Sequence, residues 1–104
     1  MATTTPDTTA LIHQALEIIA SQSLDIDTLE TRKSDSLDFH DVAVWGVKEA
    51  LTMAAWAGKA IEAELAANAG DNDRHVGLLG EIEQAIPEVS AKLYRIATRV
   101  VDAA

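Results

Sequence analysis

Histidines and carboxylates are the side chains that could bind a metal ion or transfer protons. His13, His40 and His75 are far apart in the chain, and no two have the four-residue spacing that places two ligands on one helical face. Asp38 and Asp41 flank His40, but acidic residues at a helix start are explained by the helix dipole alone. The chain has no cysteine. The sequence therefore predicts no metal site.

Serine and paired-carboxylate chemistry also lacks the residue spacing that it requires. No serine lies in a glycine-framed nucleophile elbow, and no glycine-rich loop is present to cradle a phosphate. Glu62 and Glu64 are two residues apart, as are Glu81 and Glu83, so each pair points in two directions from a helix. We therefore expect a protein that is not an enzyme and holds no cofactor.

Two tryptophans and several acidic residues are the candidates for contact with a partner. Trp45 and Trp56 are eleven residues apart, nearly a whole number of helical turns, so both indoles project from one side. Tryptophan at a polar border is common in contact surfaces, because it joins a large apolar area to a hydrogen-bond donor. The alternative is that another helix covers both rings. The candidate partner-binding residues are Asp35, Asp38, Asp41, Trp45, Glu49 and Trp56.

A long helix within Ser34–Leu65 must position these residues. Ser36 or Asp38 is its predicted N-cap, and nearby acidic residues suit the positive end of the helix dipole. Small and apolar side chains then recur every three or four residues, which favours close packing of neighbouring helices. They are Phe39, Ala43, Gly46, Ala50, Ala54, Ala57, Ile61 and Leu65. We expect this central helix to end near Asn68.

Shorter helices are predicted on either side of the central one. The first begins within Pro6–Thr9 and ends near Gln22. An irregular connector follows, with Leu24, Ile26 and Leu29 as apolar anchors. Glycine and capping residues at Gly70–Asp73 separate the central helix from a third helix. The expected inner residues of that helix are Val76, Leu79, Ile82 and Ile86.

Pro87 is predicted at the first position of a fourth helix. The inner residues expected there are Val89, Leu93, Ile96 and Val100. A charged stripe is expected to face the solvent, and it consists of Glu88, Lys92, Arg95, Arg99 and Asp102. Together the pattern predicts an all-α fold, a compact bundle of four to five helices with a long central helix. We expect residues 1–104 to form a single helical domain, with residues 1–7 as a mobile tail.

Composition limits the kind of partner and the compartment. The chain has 104 residues, is 48% hydrophobic and carries 17 acidic against 8 basic residues, a net charge of −9. Such a surplus opposes direct nucleic-acid binding, which releases counterions through cationic side chains. It suits a protein partner with a basic surface. No secretion signal or stretch of eighteen uninterrupted apolar residues is present, so we expect a cytoplasmic protein that does not cross a membrane.

The stretch Thr28–Gly58, TLETRKSDSLDFHDVAVWGVKEALTMAAWAG, resembles an uncharacterised family of short bacterial and phage-borne proteins. The resemblance is most specific in Ser34–Trp45. It implies a small helical domain that is frequent on phages and other mobile elements. By size, charge and lack of catalytic residues, the chain resembles the small acidic anti-CRISPR proteins. That likeness implies an inhibitor of a host defence complex, with a CRISPR–Cas effector complex as the partner.

The run Asp35-Ser36-Leu37-Asp38 is similar to the acyl carrier protein motif, in which the serine carries a phosphopantetheine arm. This resemblance implies an alternative function, a carrier protein modified at Ser36. The glycine that usually precedes that motif is replaced by Lys33. A helix cap is the other role open to Ser36.

Overall fold

The structure, a computed structural model, describes residues 8–33 and 38–103. It contains α1 (Thr8–Leu24), α2 (Val44–Asn68), α3 (Asn72–Ala85) and α4 (Ser90–Ala103), and no strand occurs within these two ranges. The 25-residue α2 packs against each of the other three helices. The predicted all-α bundle with a long central helix is thereby confirmed. The predicted tail, residues 1–7, lies outside the described ranges.

The core is aliphatic, as the amphipathic pattern of the helices requires. Alanines of α2 are buried at 57, 60 and 63, and their small side chains let α1, α3 and α4 approach α2 closely. Larger side chains fill the remaining space, and burying each one contributes about 1.5–3 kcal/mol. The largest fully buried side chains are Leu11, Met53, Ile61, Ile82, Leu93 and Val100.

The start of α2 differs from the sequence prediction. The N-cap residue is Ala43, and no side chain caps the helix. Asp38 is not the cap, because its Oδ1 accepts a hydrogen bond from the backbone amide of Arg32 at 2.8 Å. Aspartate side chains readily bind nearby backbone amides in this way, in competition with helix capping. Phe39, predicted to face the core from within the helix, precedes α2 and is 75% exposed.

Gly46, in the first turn of α2, is a point of close approach between α1 and α2. A Cβ atom at this position would lie 2.7 Å from the carbonyl oxygen of Ser23 and 3.4 Å from Cδ2 of Leu24. Glycine therefore lets the C-terminal end of α1 dock directly on the backbone of α2. Leu24, expected to be an anchor of the connector, is the last residue of α1 and packs against the core. Leu29 is 51% exposed and is not an anchor.

The residues that precede α3 and α4 determine where each helix begins. Gly70 has a φ of 81°, and the Asp71 carboxylate caps α3 by accepting from the amide of Arg74 at 3.2 Å. Val76 was predicted to be buried, but it is 66% exposed. The prediction that Pro87 begins the last helix is also wrong. Residues 87–89 form a turn, and α4 begins at Ser90.

None of the described helices combines the length and the apolar character needed to cross a bilayer.

Candidate protein-interaction surface

Exposed large apolar side chains are concentrated at the start of α2 and in the residues before it. Five of the seven such residues in the described ranges fall between positions 39 and 51. Soluble monomers rarely expose more than a few hundred Å² of contiguous apolar surface, and larger patches mark interaction sites. We name these five residues the apolar face. They are Phe39 (75% exposed), Val42 (42%), Val44 (83%), Trp45 (81%) and Leu51 (66%).

The helical period explains why part of this face is uncovered. Val44 and Leu51 are seven residues apart, which places them on one side of α2. The buried residues Gly46, Ala50 and Met53 are on the opposite part of the circumference. Because α2 is apolar almost all round, its sequence pattern does not reveal which side other helices cover. Val44 and Leu51 were not among the predicted site residues.

Trp45 forms one wall of an open groove. The other wall is the segment that joins α3 to α4, and the groove floor includes the buried Ile86. Its lining residues are Trp45, Lys48, Glu49, Thr52, Ala85, Ile86, Glu88 and Val89. Trp45 therefore lines this groove while most of its surface meets the solvent. The alternative that another helix covers both tryptophans is wrong for Trp45.

Trp56 has a different environment from Trp45. Its side chain is half-buried and packs against the core. Lys59 Nζ lies 5.5 Å from the centre of its ring, a cation–π geometry. Lys59 also forms an ion pair with Glu81 of α3. Trp56 is thus held by packing between α2 and its neighbours, and Trp45 is the indole with a large free area.

The three aspartates among the acidic candidates precede α2, and Glu49 lies within it. Asp35, together with Ser36 of the carrier motif, lies outside the described residues. Asp41 is exposed, and Asp38 is partly exposed while binding the amide of Arg32. Both flank apolar-face residues in the chain, so a negative charge accompanies the uncovered apolar side chains. For the carrier motif, the long helix expected to follow it begins only at Val44, because residues 39–43 are irregular.

Glu49 is occupied by contacts within the protein. One carboxylate oxygen accepts from the Ser23 hydroxyl of α1 at 2.8 Å, and the other accepts from Lys92 Nζ of α4 at 3.1 Å. The hydrogen bond from Ser23, followed by that from Lys92, lowers the pKa of Glu49 below its ordinary value. Glu49 therefore joins α1, α2 and α4 at the lining of the groove.

The histidines are not brought together. His75 lies within hydrogen-bond distance of the Ala63 carbonyl oxygen, with its Nδ1 at 2.7 Å. In the part of the chain that the structure describes, no three histidine, aspartate or glutamate residues are grouped to hold a metal ion.

The fold and surface define a small all-helical protein with an exposed apolar face beside acidic residues. Residues 12–67 match a family of unknown function, DUF6900. Since this match covers more than half of the 104 residues, the chain belongs to that family. The match runs from α1 almost to the end of α2 and includes the whole apolar face. Comparisons with curated proteins and with solved structures find no match.

Proposed function

We propose that this protein acts by binding another protein through the apolar face and the acidic residues beside it. The observation that carries the proposal is the exposure of Trp45, 81% of whose surface is free, in a segment of the chain where four other large apolar side chains are also exposed. Leaving such side chains in water is unfavourable, at about 25 cal/mol per Å² of apolar surface. A partner that covers them recovers this free energy, and tryptophan is the residue type most often found at the energetic centre of interfaces.

The charge of the chain favours a basic partner. The net charge is −9, and Asp38 and Asp41 lie beside Phe39 and Val42 in the chain. Opposite charge accelerates association and selects against wrongly charged partners, whereas the buried aromatic anchor supplies affinity. In this proposal Trp45 is the anchor and Asp38 and Asp41 orient the partner. Trp56 and Glu49 support the surface from behind, because both are engaged by neighbouring helices.

The finer proposal concerns origin and partner. We propose that the protein comes from a phage or mobile element and inhibits a host defence complex, with a basic surface of a CRISPR–Cas effector complex as its target. The resemblance of Thr28–Gly58 to phage-borne proteins supports the origin. The acidic charge supports the target, because a surface that normally holds nucleic acid is basic. Inhibition would then be steric and electrostatic, with no bond made or broken.

Binding to a purified type I CRISPR–Cas effector complex tests both the proposed contact surface and the proposed target. The wild-type protein is expected to bind at low salt. Its affinity should fall as the salt concentration rises, because the Debye length shrinks and the charges are screened. Trp45→Ala should lower affinity about 30-fold or more, the loss that corresponds to an interface hot spot of about 2 kcal/mol. Val76→Ala is the matched control, since Val76 is an exposed apolar residue of α3 outside the apolar face.

The outcomes separate the two levels of the proposal. No binding of the wild-type protein at low salt would reject the effector complex as the target. Binding that Trp45→Ala and Val76→Ala weaken equally would reject the apolar face as the contact surface. Both variants should fold normally, because substitutions of exposed side chains usually change stability by less than about 0.5 kcal/mol.

A further inference from the structure

A second surface, between α1 and α4, is lined by basic side chains and contrasts with the acidic segment before α2. Lys92, Arg95 and Arg99 lie at spacings of three and four residues, so they project from one side of α4. These are three of only eight basic residues in the chain. They line a groove between α4 and α1, and none of its lining residues is acidic. The lining residues are Ile18, Gln22, Lys92, Arg95, Ile96 and Arg99.

The two arginines have no ion-pair partner within the described part of the chain. The ion pairs found there use Lys59, Arg74 and Lys92. Two like charges four residues apart on a helix destabilise it by a few tenths of a kcal/mol. Acidic residues outnumber basic ones 17 to 8, yet neither Arg95 nor Arg99 forms an ion pair within the described residues. Their guanidinium groups are therefore available to a ligand.

Several carboxylates lie near the groove, but none of them forms an ion pair with Arg95 or Arg99 within the described residues. Asp102 follows Arg99 by three residues on the same side of α4. Glu49 forms an ion pair with Lys92, with 3.1 Å between Glu49 Oε1 and Lys92 Nζ. Asp27 and Glu17 line the neighbouring groove at the Arg99 end. The Glu17 carboxylate already accepts hydrogen bonds from the Thr28 hydroxyl at 3.3 Å and from the Leu29 amide at 3.1 Å.

More distant carboxylates have little influence on the groove. At physiological ionic strength the Debye length is about 8 Å, so charges beyond that distance are largely screened. The lining of the groove itself contains three basic side chains and no acidic one, on a protein whose net charge is −9.

We propose that the α1–α4 groove binds an oxyanion, a phosphate or carboxylate group, with Arg95 and Arg99 as its main ligands. Guanidinium groups bind such anions through paired N–H donors. The Gln22 amide adds a further donor on the α1 side, and Ile18 and Ile96 form the apolar floor. This site is separate from the apolar face and does not depend on the proposed function.

Titration of the full-length protein with inorganic phosphate, followed through the arginine Nε–H signals in NMR spectra, tests the proposal. Ionic strength is held constant by replacing sodium chloride. The Arg95 and Arg99 signals are expected to shift saturably, and Arg95→Gln with Arg99→Gln should weaken binding about tenfold or more. Arg74→Gln is the control, because Arg74 is a surface arginine of α3 that pairs with Glu62; its affinity should stay within about twofold of wild type.

A parallel titration with a hexaglutamate peptide distinguishes the source of the oxyanion. Saturable binding of phosphate alone assigns the groove to a free anion, and tighter binding of the peptide assigns it to carboxylates borne by a protein. Both results support the site provided that the double variant removes them. The proposal is overturned if neither probe saturates the arginine signals, or if Arg74→Gln weakens binding as much as the double variant does. Circular dichroism of each variant verifies that the helical fold is retained.

Discussion

Replacement of Gly46 by alanine should destabilise the fold, although the same change usually stabilises a helix. The added Cβ would lie 2.7 Å from the Ser23 carbonyl oxygen, so the end of α1 must move. Overpacking of this kind costs about 1–3 kcal/mol. The gain in helix propensity is at most about 1 kcal/mol, and it is smaller here because Gly46 lies in the first turn of α2. The expected net loss is about 1–2 kcal/mol.

Thermal unfolding followed by circular dichroism measures this effect. For a domain of this size, 1 kcal/mol corresponds to about 4–8 °C in Tm, so Gly46→Ala should lower Tm by about 5–15 °C. Gly77→Ala is the matched control, since no atom lies within 4 Å of a Cβ built at Gly77 in α3. It should raise stability by about 0.5–1 kcal/mol. Equal shifts for the two variants, or a higher Tm for Gly46→Ala, would refute the close approach of α1 and α2.

Three further predictions concern titration and modification. Because its hydrogen bond to Ser23 lowers the pKa of Glu49 from 4.5, the stability that Glu49 contributes is present above that pH and is lost as pH falls through the lowered pKa. Glu49→Gln should cost about 1 kcal/mol at pH 7, and its Tm deficit should shrink as pH falls below 4.5 and through the lowered pKa. A deficit that stays constant with pH would contradict this. Burial and then the charge of Glu83 raise the pKa of Tyr94 from 10.0, so its stabilising contribution is complete below pH 10 and is lost as pH rises further. Tyr94 is the single tyrosine, so the absorbance of the phenolate measures its ionisation directly. A midpoint of this titration at or below pH 10 would contradict the raised pKa. Co-expression with a phosphopantetheinyl transferase should leave the intact mass unchanged, and a gain of one prosthetic arm that Ser36→Ala abolishes would establish the carrier function instead.

Helices with one apolar side were predictable from the sequence. In α4, the helical spacing predicted that Leu93, Ile96 and Val100 face inward, and all three are buried in the structure. The prediction was possible because the opposite side of this helix is charged. The start of α2 was not predictable in this way. Capping residues are present before it, but Asp38 binds the amide of Arg32 within the connector. Local propensity does not determine which of two nearby backbone amides a carboxylate will bind.

The candidate surface was predictable only in part. The sequence identified Trp45, and it also placed Glu49 among residues free to bind a partner. Glu49 is instead occupied by Ser23, 26 residues before it, and by Lys92, 43 residues after it. Such contacts depend on how helices pack, which a periodic pattern does not specify. The uncovered residues Val44 and Leu51 were missed for the same reason, because α2 is apolar on nearly every side.

Hydroxyl-radical footprinting of the two indoles is the most direct test of the central claim, that Trp45 is free in the isolated protein and covered by a protein partner. In the isolated protein, Trp45 should be oxidised much faster than the half-buried Trp56. When the protein is bound to the CRISPR–Cas effector complex, Trp45 should become protected from oxidation, while the oxidation rate of Val76 stays the same. Oxidation of Trp45 at one rate in the free and bound states would contradict the claim.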